Sequence, residues 1–318
     1  MGNSCKKYDV VCFGIVVSDI LIKGVRDNVM DYETDVAESV TLCTGGDALN
    51  EAMTCSRLGL RTALAGSLGD DFFGDYVLKS VQGAGVATEG IFRSKEFRTA
   101  TNIALIGENG KRCILSAPNT NMDAMDKGLS DAALDVIRNS KIVCIGSLFV
   151  SKSLDVHTVQ EIYRAAKEAG AIVVADATFP SAMDQTIDEL YECIDGLDYF
   201  VPSYDEGSRM TGKADPLEIA KDLLAHVNKA IVLKLGAEGC LVCSKEGDVL
   251  RIPAYRVDAI DTTGAGDNFV AGFLWGLSRD LPLEECCKAA SATGAIATTQ
   301  VGANGAVKSA AQVLEFMD

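Results

Sequence analysis

The chain has 318 residues, 48% hydrophobic and 23% charged, the balance of a globular protein long enough to bury a large core. Its 29 Lys and Arg stand against 45 Asp and Glu, and the resulting charge of −16 repels nucleic acid and anionic membrane at long range. No apolar run reaches the ~20 residues of a membrane helix, and the short polar start Met1–Lys7 lacks a signal peptide's apolar stretch. Eleven Cys without a secretory signal predict reduced thiols and a cytoplasmic setting. Cys240 and Cys243 form one CxxC with no second pair, and His157 and His226 are the only histidines, so strand packing is expected there rather than zinc.

Along the chain, strand-like and helical stretches alternate. Tyr8–Val17 reads as a strand, Asp47–Leu58 as a helix, Thr62–Gly66 as a strand and Asp71–Gly83 as a helix. Strand Ile142–Ile145, helix Leu154–Ala169, strands Ile172–Asp176 and Tyr199–Val201, helix Pro216–His226 and strand Ala230–Leu235 follow. Helices Ala265–Leu277, Leu283–Thr299 and Ser309–Phe316 close the chain. Short apolar runs separated by helices predict βαβ units and a mostly parallel sheet with helices on both faces, a three-layer α/β/α arrangement. Two places break the rhythm. Asn102–Ile106 and Arg112–Leu115 flank Asn109-Gly110, a strong hairpin signal, and β segments are expected at Leu21–Gly24 and Val36–Leu42. The reading is one domain, 1–318, with a small antiparallel β lid built from about 18–42 and 95–116, set over the carboxyl ends of the parallel strands.

Walker, HExxH, GxSxG and dinucleotide fingerprints are absent. The strongest chemical signal is Asp261-Thr262-Thr263-Gly264-Ala265-Gly266-Asp267 at the start of a helix. Small residues let backbone amides approach a ligand, and the helix aims its free N–H groups and positive dipole end at the same spot. A carboxylate beside such an anion hole makes sense if Asp267 takes a proton from a hydroxyl while the Gly264, Ala265 and Gly266 amides stabilise a transferring phosphoryl group. The plainer alternative is a glycine turn with Asp267 as a helix-capping acid. A second glycine turn, Gly45-Gly46-Asp47-Ala48-Leu49-Asn50, also opens a helix, and Asp19 is expected to end the first strand. Asp and Asn suit a polyhydroxylated ligand because they accept from or donate to vicinal hydroxyls.

With Phe13-Gly14, Asp19, Gly45-Gly46 through Asn50, Arg57-Leu58-Gly59, Gly66 through Gly74 and Asp261 through Asp267, the chain resembles the PfkB/ribokinase family of carbohydrate kinases over nearly its whole length. The resemblance implies a ribokinase-like fold and ATP-dependent phosphoryl transfer to a sugar hydroxyl. Asp267 would be the base, and Asp19, Gly45, Gly46, Asp47, Asn50 and Asn102 would hold the sugar. Lys234, Gly236, Gly239, Ser203, Glu206 and Ser291 would face the nucleotide. Mg²⁺ would ride on the ATP phosphates with Glu206 holding it through water, and Asp261 and Thr263 would match the oxygens that bind an activating K⁺ in some relatives. Two departures stand out. Ser203 replaces the Asn of the family's Asn-x-x-Glu motif, and Thr178 and Pro180 follow Asp176 where many relatives carry Asn and Arg, leaving Lys234 to supply positive charge.

Several alternatives stay open at this level. Asp47 caps its helix or touches substrate, and Asn102 faces into the pocket or away according to strand phase. A nucleoside kinase of the same fold, or a sugar- or nucleotide-sensing protein with little turnover, are the competing functions. Pairing of two lids into a homodimer is expected if the lid leaves an apolar face uncovered.

Overall fold

A computed structural model describes residues 6–107, 111–179 and 186–318. The Asn109-Gly110 turn, Pro180 and the first five residues lie outside that range. In chain order the strands are β1 (Tyr8–Phe13), β2 (Val17–Val25), β3 (Ser39–Gly45), β4 (Thr62–Gly69), β5 (Ala87–Ser94), β6 (Thr101–Gly107), β7 (Arg112–Leu115), β8 (Ser140–Leu148), β9 (Ile172–Ala177), β10 (Tyr199–Phe200), β11 (Ala230–Lys234), β12 (Cys240–Ser244) and β13 (Val249–Ile252). The helices are α1 (Asp47–Arg57), α2 (Phe72–Gly83), α3 (Asp131–Arg138), α4 (Val156–Glu168), α5 (Ile187–Ile194), α6 (Tyr204–Thr211), α7 (Pro216–Leu224), α8 (Ala265–Ser278), α9 (Leu283–Ala297) and α10 (Ala310–Met317).

Nine strands form the main sheet in the order β13-β12-β11-β10-β9-β8-β1-β4-β5. From β5 to β11 every neighbouring pair is parallel, and β12 and β13 add antiparallel to one edge. The inner strands are apolar on both faces, as a doubly covered parallel sheet requires. One core layer packs α3 to α7 against the sheet through residues such as Ile137, Ile162, Ile194 and Ile219. The other packs α1, α2, α8, α9 and α10 through Leu49, Val77, Phe273, Ala290 and Val313. Cys240 and Cys243 are buried members of β12 within these layers.

The second sheet has the order β3-β2-β6-β7. The expected antiparallel pairing is carried by β2 with β3 and by β6 with β7, and the central pair, β2 with β6, is parallel. The predicted first strand, Tyr8–Val17, proves to be two. The chain leaves the main sheet at Gly14 and enters the small sheet at Val17. Asp19 therefore does not end the first strand but is the third residue of β2, paired in register with Asn102 of β6. β12 carries the strand packing expected of Cys240 and Cys243, whereas two strands of the main sheet, β5 and β13, and the short helices α3, α5 and α6 were not expected. Their runs are four to eight residues long, too short for a period to separate strand from helix.

Nine of the ten described helix starts fall into two kinds, and α9 opens at Pro282 without a side-chain cap. Seven helices have a side chain accepting from a first-turn amide: Asp71 for α2, Ser130 for α3, Asp155 for α4, Thr186 for α5, Ser203 for α6, Asp215 for α7 and Ser309 for α10. α1 and α8 begin instead at glycines, Gly46 and Gly264, and no side chain caps them. Both open at the carboxyl ends of the parallel strands, where β1 lies between β4 and β8 and the direction of winding reverses.

Candidate active site

The two helices that start at glycine, α1 and α8, meet through their first turns. Asn50 Nδ2, one turn into α1, donates to Asp267 Oδ2, one turn into α8, at 2.7 Å. Asn304 Nδ2 donates in turn to Asn50 Oδ1 at 2.8 Å. Gly264 holds φ of 73°, and a β-carbon there would lie 2.6 Å from Ala303, so this start tolerates glycine alone. The Asn268 amide locks the turn from inside, donating at 2.7 Å to the carbonyls of both Gly264 and Ala303. The Ala265 amide donates to Thr262 O at 3.2 Å, whereas those of Gly264 and Gly266 have no protein acceptor among the described residues. The start of α8 therefore presents free donors beside a half-buried carboxylate.

Asp47 does not cap α1. Its Oδ2 accepts from Thr178 Oγ1 at 2.6 Å, at the end of β9, and from Ser147 Oγ at 3.4 Å, at the end of β8. Two residues flagged in the sequence as unusual, Asp47 and Thr178, thus form a pair. Asp19 lies tightly against Gly45, and Asn102 Nδ2 donates to its Oδ1 at 2.9 Å. Asn102 therefore points to the same face of the small sheet as Asp19, which resolves its strand phase.

On the other side, Lys234 Nζ at the end of β11 lies 2.6 Å from both carboxylate oxygens of buried Asp176. It is 3.5 Å from where a β-carbon on Gly266 would sit, so its charge stands beside the α8 amides. Ser203 caps α6, and Glu206 turns back to accept from Ser203 N at 2.6 Å, a closed capping box. Lys234, Ser203, Gly236, Gly239 and Ser291 line one cavity of about 800 Å³, together with Ala265, Gly266 and Phe269. The predicted nucleotide residues are thus gathered in one place, except that Glu206 does not line the cavity itself. Ser291 Oγ donates to Pro253 O at 3.1 Å.

Charge is concentrated here. Burial, opposed by the Asn50 hydrogen bond and Lys234, raises the Asp267 carboxyl above its ordinary range. Burial and then the charge of Asp267 push Asp47 well above it. Asp176 rises to about 7 through burial, offset in part by Lys234. Burial also raises Asp19, against the Asn102 hydrogen bond. Burial pulls Lys234 down, but Asp176 and Glu206 outweigh it and the ammonium ends above its usual value. Asp261 behaves oppositely: burial would raise it, yet donors from Thr263 and Gly302 hold it below the usual range. Raised carboxyls beside a cleft are what a proton-accepting site needs near neutral pH.

Sequence reasoning missed Asn304, Asn268, Ser147 and the Asp176 partner of Lys234. The glycines around Asn304, in Gly302-Ala303-Asn304-Gly305, were the available signal for a tight functional turn.

The pfkB family carbohydrate kinase model matches residues 7–310, and the chain belongs to that family. It is thus a carbohydrate kinase, an enzyme that phosphorylates a sugar. It is 30% identical over 286 residues to a probable fructokinase-5 of Arabidopsis thaliana, covering 86% of this chain and 87% of that one. It is 26% identical over 325 residues to 5-dehydro-2-deoxygluconokinase of Bacillus licheniformis, covering 99% and 97%. Among solved structures, Arabidopsis thaliana ribokinase complexed with ribose and ATP superposes with a TM-score of 0.83 at 24% identity, over 98% of this chain and 99% of that one. A putative ribokinase II from E. coli in complex with ATP and Mg²⁺ gives 0.81 at 18% identity, over 97% and 98%. These likenesses establish the ribokinase-like fold.

Proposed function

We propose that the chain transfers the terminal phosphoryl group of ATP to a hydroxyl of a small sugar, with Asp267 as general base and the Gly264, Ala265 and Gly266 turn as anion hole. The observation that carries this reading is the meeting of Asp267, held by Asn50, with the uncapped start of α8, whose Ala265 and Gly266 line the 800 Å³ cavity. The triphosphate lies along that cavity past Lys234, Gly236 and Gly239. Its terminal phosphoryl meets the α8 amides and the Lys234 ammonium, the positive charge missing where relatives carry Arg. The sugar rests on Asp19, Gly45, Gly46, Asp47, Asn50 and Asn102 under the small sheet. Asp267 accepts the proton of the attacking hydroxyl as the bond to phosphorus forms, and the amides and Lys234 stabilise charge on the transferring group. Asn50 steers the base by holding one of its oxygens.

Mg²⁺ entering with ATP spreads the phosphate charge. An ion carried mainly by phosphates and water needs few protein oxygens, and the hard carboxylate of half-buried Glu206 fits it through a water. Asp261 and Thr263, with the backbone near Gly302, are the oxygens proposed for an activating K⁺, which would have to displace the Arg112 and Gly302 donors that hold them; exchange of K⁺ for Na⁺ in the assay tests this. The chain works as one cytoplasmic unit, 1–318, with a lid at 18–42 and 95–116 that excludes water. Val36, Val40, Ile114 and Leu115 are exposed on or beside the lid, which suits pairing with a second copy and is tested by sedimentation.

The deciding experiment is ADP release with Mg²⁺-ATP over a panel of monosaccharides, sugar acids and nucleosides, with the product identified by mass spectrometry. A phosphorylated sugar is expected. Turnover on nucleosides alone would replace the acceptor class, and binding without turnover on any acceptor would leave a sensing protein.

A further inference from the structure

Two side-chain routes tie the small sheet to the cleft. In the first, Ser116 Oγ donates to Asn102 Oδ1 at 2.7 Å and Asn102 donates to Asp19, so the route ends in the acceptor bed. The second crosses 151 residues of chain from the edge strand β7 to the loop before α8. Arg112 Nη1 donates to Thr263 Oγ1 at 2.7 Å. Thr263 Oγ1 donates to Asp261 Oδ1 at 2.7 Å, and Gly302 N donates to Asp261 Oδ2 at 3.0 Å. The residue after Thr263 is Gly264, whose amide belongs to the anion hole. Asp261 and Asn268 thus brace the loop from the body, and Arg112 reaches it from the small sheet.

The placement of Arg112 is unusual. A cation beside a helix N-terminus runs against the helix dipole. The chain carries 45 acids, many of them exposed, with which an edge-strand arginine can pair. Arg112 nevertheless docks on a hydroxyl beside the anion hole, where Asp261 offsets its charge.

We propose that Arg112 is a positioning residue that joins the small sheet to the anion-hole loop through Thr263, so that closure over the acceptor and convergence of the Gly264 and Gly266 amides occur together. This rests on the kinase reading above and deepens it: the same contact that covers the sugar readies the phosphoryl site, and ATP is protected from water until an acceptor is in place.

The test uses the full chain and the variants Arg112→Ala, Arg112→Lys, Thr263→Val and Arg112→Ala/Thr263→Val. With D-fructose, D-ribose and 5-dehydro-2-deoxygluconate as acceptors, Arg112→Ala is expected to raise acceptor KM about tenfold, the scale of one charge-assisted hydrogen bond. It also raises the share of ATP hydrolysed per sugar phosphate formed. Arg112→Lys restores part of both. The double variant is no worse than Thr263→Val, because that change already removes the Arg112 contact along with the bond to Asp261. Independently of any acceptor, hydrogen exchange at the Thr263 and Ala265 amides, which donate to Asp261 Oδ1 and Thr262 O, is expected to be faster in Arg112→Ala than in the unaltered chain. Unchanged exchange there overturns the proposal, as do additive effects in the double variant. If none of the three sugars is phosphorylated, the exchange experiment still decides the latch, so its failure and that of the kinase reading remain distinct.

Discussion

Two helices begin on the wall of the same cavity and treat their first turns in opposite ways. At α6, Ser203 and Glu206 close a reciprocal capping box, which engages the Ser203 hydroxyl and one Glu206 oxygen with the protein's own backbone. At α8, Gly264 offers no side chain, the turn is held from behind by Asn268, and Asp267 looks across to α1. A capped start is a finished structural joint. An uncapped start that is rigid from behind is a set of donors held ready for something else. The difference is the reason the anion-binding role is proposed for α8 rather than α6, although both helices carry acids in their first turns.

The sharpest way to break this contrast is to remove the base. Asp267→Asn keeps shape and the neighbourhood of Asn50 but cannot take a proton. Phosphoryl transfer is expected to fall about 10³- to 10⁴-fold in steady-state assays while calorimetric nucleotide binding persists. Near-normal turnover would return Asp267 to the role of a helix-start acid. Next, Gly264→Ser makes α8 resemble α6. The new side chain meets Ala303 at 2.6 Å and must hold φ of 73°, so the amides shift. Turnover is expected to drop about 10²-fold, as when one oxyanion donor is lost, and a variant with unimpaired kinetics would show that the turn is not the anion hole.

The converse change is milder. Ser203→Ala opens the α6 start and is expected to cost about 1 kcal/mol in urea unfolding, with far less effect on turnover than Gly264→Ser. A larger kinetic effect would mean that α6, too, serves the phosphates. The smallest change concerns Glu51, fully buried in α1, with Cys144 Sγ 3.5 Å from its Oε2 and its Oε1 unpartnered. Burial, then the Cys144 thiol, push its carboxyl well above the ordinary range. The folded chain thus binds a proton that the unfolded chain has released. The associated stability is full below the ordinary carboxylate range and is lost as pH climbs through the raised value. Melting temperature is expected to fall as pH rises above the ordinary carboxylate range, and Glu51→Gln should flatten that fall. An identical slope in both proteins would mean that Glu51 binds no more protons in the folded chain than in the unfolded one.

Much of this was readable in the chain itself. Gly45-Gly46 and Gly264 through Asp267 announce their turns because glycine and a first-turn acid are local signals, and the parallel core announces itself in runs such as Val10–Phe13. Relations formed across the fold were not readable. Asn304 reaches Asn50 over 254 residues, and Lys234 finds Asp176 over 58. Asp19 was misplaced because Ile15-Val16-Val17 continues the apolar run of β1 while the backbone changes sheets at Gly14. The pairing of Asp47 with Thr178 was invisible for the same reason, although each had been singled out alone.

The amide of Asn50 has a giving end and a receiving end, and here they are turned by their neighbours on either side. The row from Asn304 to Asp267 therefore has a polarity. A residue at 304 unable to give would leave the Asn50 oxygen without its donor and Asp267 alone to orient that amide. The loop before α10 thus helps to fix the side chain that grips Asp267.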